Sequence, residues 1–524
     1  MESLVRRIGD MALASEETVG RRTQSWGAPP EPLVNEIVAR LRSWKGSIEC
    51  LHQSSPINVD GQRLLRDVFR TMDYFRELGL VPGERLGIVG DNCYAWIVAD
   101  LACLGYGLVT VGIDPNERET AQIREDFNLS RILRVAEDPE LMVHLRGADE
   151  PAPPLSAIHT FAPRAPIALK FTSGSTGKCK AMTVSCSSVD DTLGQVQSMF
   201  QHGPGDKILV FLPLHLIQQR FWVYSAILFD HDVAVVPHRL ALAALRRNRP
   251  TVVMGVPEFL ETLVKGFDTQ GKEASERFNT FLGGRVRYLW TGSAPITKST
   301  LQIYEQLGVA VFQGYGMNET CIVSKNFPGS NRVGSVGRVL PNKIVRIDST
   351  GQILVKSRFP VTDRYLNMAA QEWETTFRKD GYIATGDTGH FDEGGYLYIT
   401  GRLKEIIVLS NGRNVAPIPI EQRIEQSSAV ERAVVFGSGR SFLIALLIPS
   451  RKDVEHAELR AAVERANRDR PEYERVSRFA LARESLTREH GLLTSQFKLR
   501  RQNIWKQYQT LLEPLYDTPP SFVD

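Results

Sequence analysis

Short apolar runs alternate with segments of helical periodicity from Leu64 to about residue 340, and this alternation constrains the fold more than any other feature. The segment LLRDVFRTMDYFRELGL spaces its apolar residues as a helix does, and the turn VPGER and the run LGIVG follow it. AWIVADLACLGYG then leads into VTVGI. The runs ILVFLPL, DVAVVP, PTVVMGVP, VRYLWTG and VAVFQGYG repeat the theme, each beside a helical stretch. Such alternation predicts an α/β fold with substantially parallel sheet, because parallel strands need crossover helices. After about residue 340 the texture changes to short strand signals and turns: KIVRID, GQILVKS and GYLYITG. A smaller α+β portion follows, with EIIVLSNG, AVVFG, FLIALLIPS and two Arg/Glu-rich helical stretches. The Gly401-Arg402 turn is the expected boundary between a large, multi-subdomain N-terminal domain with mixed sheets (residues 1–402) and a small C-terminal domain (residues 403–524).

A chain of 524 residues exceeds one ordinary domain, and 42% hydrophobic with 23% charged residues describes a soluble protein with ample core. The net charge is only +3. Acids interrupt the arginines of the last quarter (Arg460, Glu464, Arg465, Asp469, Arg470, Glu472), the pattern of a solvated helical surface. No nucleic-acid partner is expected. Cysteines at 50, 93, 103, 179, 186 and 321 form no CxxC, which suits free thiols in a reducing compartment. The N-terminal stretch MESLVRRIGDMALASEETVG lacks the apolar core of a signal peptide. The run Trp96 to Ile113 is apolar enough to suggest a membrane span, but Asp100 and three glycines interrupt it. A buried helix passing into a strand is expected there, with no membrane span and a cytoplasmic location.

Phe171 to Lys180, reading FTSGSTGKCK, packs Ser, Thr, Gly and Lys into one short loop. Backbone N–H groups, hydroxyls and lysine charge together suit nucleotide phosphates. It is not a Walker loop, since Thr172 stands where the first Gly belongs and Cys179 follows Lys178. It is not a nucleophile elbow either, since Ser173 occupies the first Gly position around Ser175. Further along, Tyr315 lies between glycines in QGYGMNETC and can offer its ring to a base, while Glu319 could ligate Mg²⁺. Asp387 in YIATGDTG follows a tight turn and suits two ribose hydroxyls; Arg402 in TGRLKE could reach the same sugar or a phosphate. Each of these alone also fits an ordinary turn or surface residue, as does Lys498 in LTSQFKLRR.

Taken in order and at these separations, the motifs resemble the acyl-adenylate-forming superfamily of acyl-CoA synthetases, peptide-synthetase adenylation domains and luciferases. FTSGSTGKCK is similar to the family's phosphate loop YTSGSTGKPKG, and TGSAP (Thr291 to Pro295) and GYGMNE to its adenine-pocket segments. The stretch YIATGDTGHFDEGGYLYITGRLKEIIVLSNGRNVAPIPIE is the most specific match, and with LPLHLIQQR and PTVVMGVPEFLE it leans towards medium- and long-chain acyl-CoA synthetases. The resemblance implies that Thr172, Ser173, Gly174, Ser175, Thr176, Gly177 and Lys178 hold the phosphates of ATP. It implies that Gly292, Ser293, Ala294, Tyr315 and Gly316 frame the adenine, with Asn318 beside the Mg²⁺-binding Glu319. Asp387 and Arg402 would bind the ribose, and Lys404 would be the hinge of a mobile C-terminal lid. Lys498 would reach the substrate carboxylate and α-phosphate, with Arg501 matching the arginine that follows it.

The resemblance further implies CoA as co-substrate and a fatty or aryl carboxylic acid. Departures cluster on the acyl and thiol sides. Cys179 replaces a Pro, Ala181 a Gly, Cys186 a His, Asn318 a Thr and Arg413 an acid, while Gln496-Phe497 replace Ser-Gly and His215 lies one place before the usual position. Three alternatives therefore stay open: loading of a carrier protein, a nitrite-activating diazotase, and a non-catalytic nucleotide-binding homologue. No carrier module is expected within this chain, which ends soon after Tyr516.

Overall fold

The apolar runs assemble into two parallel-centred sheets in a computed structural model. It describes residues 32–52, 55–117, 120–145, 158–173, 179–265, 267–269, 271, 273–294, 296–482, 484–487, 490–493 and 499–517. The larger sheet has nine strands. Its parallel centre runs, in spatial order, Ala310–Met317, Tyr288–Thr291, Val252–Gly255, Lys207–Val210, Asp232–Val235 and Ser47–His52. Antiparallel strands close both edges: Cys321–Lys325 and Arg338–Val339 at one side, Ser55–Asp60 at the other. The second sheet orders Arg131–Arg134, Arg85–Val89, Val109–Ile113, Pro166–Ser173 and Cys179–Ser185, parallel except for the last hairpin.

Helices cover these strands on both sides, so the strands read as continuous apolar runs; all five residues of Val109–Ile113 are buried. Helix Gly61–Glu77 begins at Asp60, whose carboxylate accepts from the Arg63 N–H at 2.8 Å. Its stripe Leu64, Leu65, Val68, Phe69, Met72 and Phe75 is buried. Met72 packs so closely on helix Tyr94–Tyr106 that a Cβ at Gly105 would lie 2.8 Å from its sulfur. That second helix is buried nearly all round and ends at Gly107 in the left-handed region (φ 90°), before Val109–Ile113 begins. The run Trp96 to Ile113 is thus helix and strand, as expected. No helix among the described residues is long and apolar enough to cross a membrane.

A four-stranded antiparallel sheet follows, Lys343–Ile347, Gln352–Ser357, Ile383–Phe391 and Leu397–Arg402. Beyond Arg402 come a small hairpin (Ile407–Val408 with Asn414–Val415) and a three-stranded sheet, Val430–Phe436, Leu443–Pro449 and Val476–Leu481. Helices Pro417–Glu425 and His456–Asn467 share an apolar core with one face of that sheet. Helix Arg501–Leu512 supplies Ile504 and Leu512 to the other face. Cys50, Cys103, Cys186 and Cys321 are buried free thiols and Cys93 is half-buried.

Candidate active site

In open α/β sheets, ligands gather outside the carboxyl ends of parallel strands. Here those ends converge on one cavity of about 2740 Å³. Gly255 ends one strand, Thr291 the next with Gly292 and Ser293 after it, Gly314–Glu319 a third, and Ile113 with Asp114 the second sheet's central strand; all line it. The opposite wall comes from beyond Arg402, through Leu403–Ile407, Val435–Ser438 and Leu499–Asn503.

Tyr315, Asp387 and Arg402 are brought together although they lie far apart in sequence. The register of the antiparallel sheet sets Asp387 directly opposite Arg402, and Arg402 Nε lies 2.8 Å from Asp387 Oδ1. Tyr315 Oη donates to Asp387 Oδ2 at 2.7 Å. Burial, reinforced by the Asp387 charge, holds the Tyr315 phenol well above its usual range, so it remains a donor at neutral pH. Tyr315 and Arg402 line the cavity while Asp387 stands just behind them, 4% exposed.

Glu319 sits on the turn between strands Ala310–Met317 and Cys321–Lys325. The turn is tight enough that a Cβ on Gly316 would lie 2.0 Å from the Cys321 carbonyl, so glycine is required there. Thr320 pins it by accepting from the Met317 N–H at 3.2 Å, while Lys343 Nζ donates to the Thr320 carbonyl at 3.0 Å. The Glu319 carboxylate is buried and accepts at Oε1 from Tyr365 Oη at 2.6 Å. Lys180 stacks over the same tyrosine ring at 4.6 Å. Asn318 lines the cavity, its amide oxygen 3.4 Å from Gln218 Nε2 of helix Ile217–Phe229.

Of the residues singled out from sequence, Gly292, Ser293, Tyr315, Gly316, Asn318, Glu319, Arg402 and Lys404 line this cavity. Ala294 follows Ser293 without being part of the lining. Thr172 and Ser173 close strand Pro166–Ser173, whereas Gly174, Ser175, Thr176, Gly177, Lys178 and Lys498 lie outside the described residues. Arg501 holds Glu421 in a two-pronged ion pair, with its NH2 2.6 Å from Oε2, and so fastens helix Arg501–Leu512 to helix Pro417–Glu425. Sequence reasoning missed Tyr365, and it missed two buried lysines on the cavity, Lys170 and Lys325. The available signal was a lysine inside an apolar run, in IALKF and CIVSK.

Residues 54–358 match the family described as AMP-binding enzyme, and residues 404–519 match the AMP-binding enzyme C-terminal domain. The chain belongs to the AMP-binding enzyme family. Among its relatives, a long-chain-fatty-acid–CoA ligase, FadD15 of Mycobacterium bovis, is 26% identical over 84% of this chain and 89% of its own. A second, ACSBG2 of Xenopus laevis, is 27% identical over 71% of this chain and 63% of its own. Solved structures with the same fold include ATP-bound MatB from Rhodopseudomonas palustris (21% identical, TM-score 0.75, covering 91% of this chain and 99% of that one). The anthranilate CoA ligase AuaEII in complex with anthranoyl-AMP gives a TM-score of 0.78 at 16% identity, over 94% and 100% of the two chains. Family membership makes the protein an ATP-dependent adenylate-forming ligase.

Proposed function

We propose that the protein is an ATP- and Mg²⁺-dependent acid–thiol ligase, which forms an acyl-AMP from a carboxylic acid and passes the acyl group to CoA. The observation that carries this reading is the convergence of Tyr315, Arg402 with Asp387 behind it, and buried Glu319 on one cavity at the strand ends. Tyr315 offers a flat face to adenine, and Asp387 with Arg402 offers an acceptor and donors to the ribose. Glu319 fits a metal ligand: Oε1 is held by Tyr365, and Oε2 has no protein hydrogen bond among the described residues. Magnesium is commonly held by one or two carboxylates together with substrate phosphates and water, so a lone oriented carboxylate suffices. When bound, the ion would neutralise charge that develops on the phosphates.

The first step joins a carboxylate oxygen to the α-phosphorus while the bond to the β-phosphate oxygen breaks and pyrophosphate leaves. Anion must approach anion, so the residues around the phosphates have to supply positive charge. Lys498 is assigned that task from sequence, and its successors Leu499–Asn503 line the cavity. Lys404, on the short turn Leu403–Glu405 after strand Leu397–Arg402, is assigned the hinge. In the second step the thiol sulfur bonds to the acyl carbon, AMP leaves and the thiol proton is lost. A thiol with a pKa near ~8.5 attacking an activated acyl group needs no dedicated base.

Pyrophosphate exchange into ATP, screened over fatty, aryl and amino acids plus nitrite, tests the first step. Exchange with carboxylic acids, and CoA thioesters by mass analysis, is the expected outcome. Exchange with nitrite alone would replace the substrate class, and no exchange with any candidate would remove the adenylation reading.

A further inference from the structure

Three buried lysines stand near the hairpin that carries Glu319, and two have carboxylates to balance them. Lys170 feels Glu319, and Lys343 feels Asp191. Lys325 differs. It is 0% exposed, its amine donates to the Phe312 carbonyl at 2.7 Å, and it sits 3.5 Å over the Trp290 ring. No carboxylate pairs with it among the described residues. Burial alone drives its pKa well below the lysine range. An amine has more hydrogen-bonding capacity than one carbonyl and a ring face use, and a polar group buried at such cost points to a further partner.

The position of Lys325 says what that partner is. Lys325 pairs with Gly314 at the base of the hairpin, while Glu319 occupies the tip beyond Met317. Three residues of strand separate base from tip, about 10 Å at the usual rise. Lys325, Gly314 and Trp290 all line the same cavity as Glu319. A Cβ at position 314 would lie 2.7 Å from Lys325 Cδ and 3.4 Å from its Nζ, so glycine there leaves room for the lysine side chain to lie along the strand.

We infer that Lys325 and Trp290 form the distal end of the acid pocket and select a carboxylic acid whose far end bears a hydrogen-bond acceptor over one ending in plain alkyl. This rests on the adenylation reading, because Glu319 marks the reacting end. A terminal methyl would abut the amine and leave its donors unmet. A hydroxyl, carbonyl or second carboxylate would accept from it, and Trp290 would pack against the tail.

The test is pyrophosphate exchange with octanoate, ω-hydroxyoctanoate and suberate, comparing the full-length protein with Lys325→Met and Gly314→Ala. The wild type should favour one or both acceptor-bearing acids by about tenfold or more in kcat/KM, a modest part of what a hydrogen-bonding pocket can reach. The hydroxy acid and the diacid separate a neutral acceptor from an anionic one. Lys325→Met should lose that preference, keep its KM for ATP and melt no lower than wild type, since it replaces a buried amine by an apolar chain. Gly314→Ala, which crowds the amine without removing it, should also narrow the preference. A wild type that prefers octanoate, or a preference unchanged in Lys325→Met, overturns the lysine's role and leaves adenylation standing. Exchange with none of these acids, nor with the broader acid panel, removes the adenylation reading and this inference with it.

Discussion

Asp387 is engaged on both carboxylate oxygens, by Tyr315 at 2.7 Å and by Arg402 at 2.8 Å. A ribose that bonds to it must share it with, or displace, one of these side chains, so its charge matters more than its shape. Asp387→Asn keeps the volume but sets an amide against the Arg402 guanidinium. Hydrogen bonds to charged groups contribute roughly 1.5–3 kcal/mol, so the variant should bind a non-hydrolysable ATP analogue about tenfold to a hundredfold more weakly. Titration calorimetry reads this directly, and affinity equal to wild type would place the ribose elsewhere. Asp387, Arg402 and Tyr315 were legible in the sequence because each sits in a local motif whose residue types carry its chemistry. Tyr365 and Lys325 were not, because their meaning lies in contacts made across 46 residues to Glu319 and across 35 to Trp290.

Between elements, one polar tie near the cavity is fully buried. Asp100, within helix Tyr94–Tyr106, meets Arg220 of helix Ile217–Phe229 at 3.1 Å and accepts from Tyr224 Oη at 2.5 Å. Arg220 also donates from Nε to the Leu214 carbonyl at 3.0 Å and from NH2 to that of His215 at 3.4 Å. It stacks over Trp96 as well, 4.9 Å from the ring. One guanidinium thus joins two helices and fixes the loop that brings His215 to the cavity. Breaking a buried pair by removing one partner costs about 3–5 kcal/mol, because the remaining charge is stranded. Arg220→Met should lose that much stability in urea unfolding, and adding Asp100→Leu should recover part of it. Additive losses would show that the two side chains act independently. Helices and strands were readable from periodicity, including the helix and strand hidden in the run Trp96 to Ile113. Strand order was not. Ser47–His52 pairs with Asp232–Val235, about 185 residues away, and nothing local to either run encodes that neighbour.

Across the whole molecule, buried titratable groups pull stability in opposite directions with pH. Burial, and then neighbouring His231, lowers the His202 pKa to about 3, and burial lowers that of His231 to about 4. His202 Nε2 bonds Tyr288 Oη at 2.5 Å. His231 Nδ1 donates to the Asp232 carbonyl at 3.0 Å, so its Nε2 accepts from Ser225 Oγ at 2.9 Å. Both rings are neutral in the native state, whereas an unfolded imidazole takes up a proton near pH ~6.5. Their stabilisation is therefore complete above that pH and declines as pH falls towards the native values. Asp190 and Asp191 work the other way. Burial raises them to about 7 and about 6, so they favour the native state at low pH and lose that contribution as pH rises. The net profile mixes both sets, and a variant difference isolates one. His202→Gln removes a single depressed group; below about pH 6, the stability gap between wild type and variant should narrow by ~1.4 kcal/mol per pH unit, down to about pH 4. Urea unfolding at several pH values measures the gap. A gap that stays constant would mean that His202 titrates alike in both states, and the buried, neutral ring behind Trp222 would have to be abandoned.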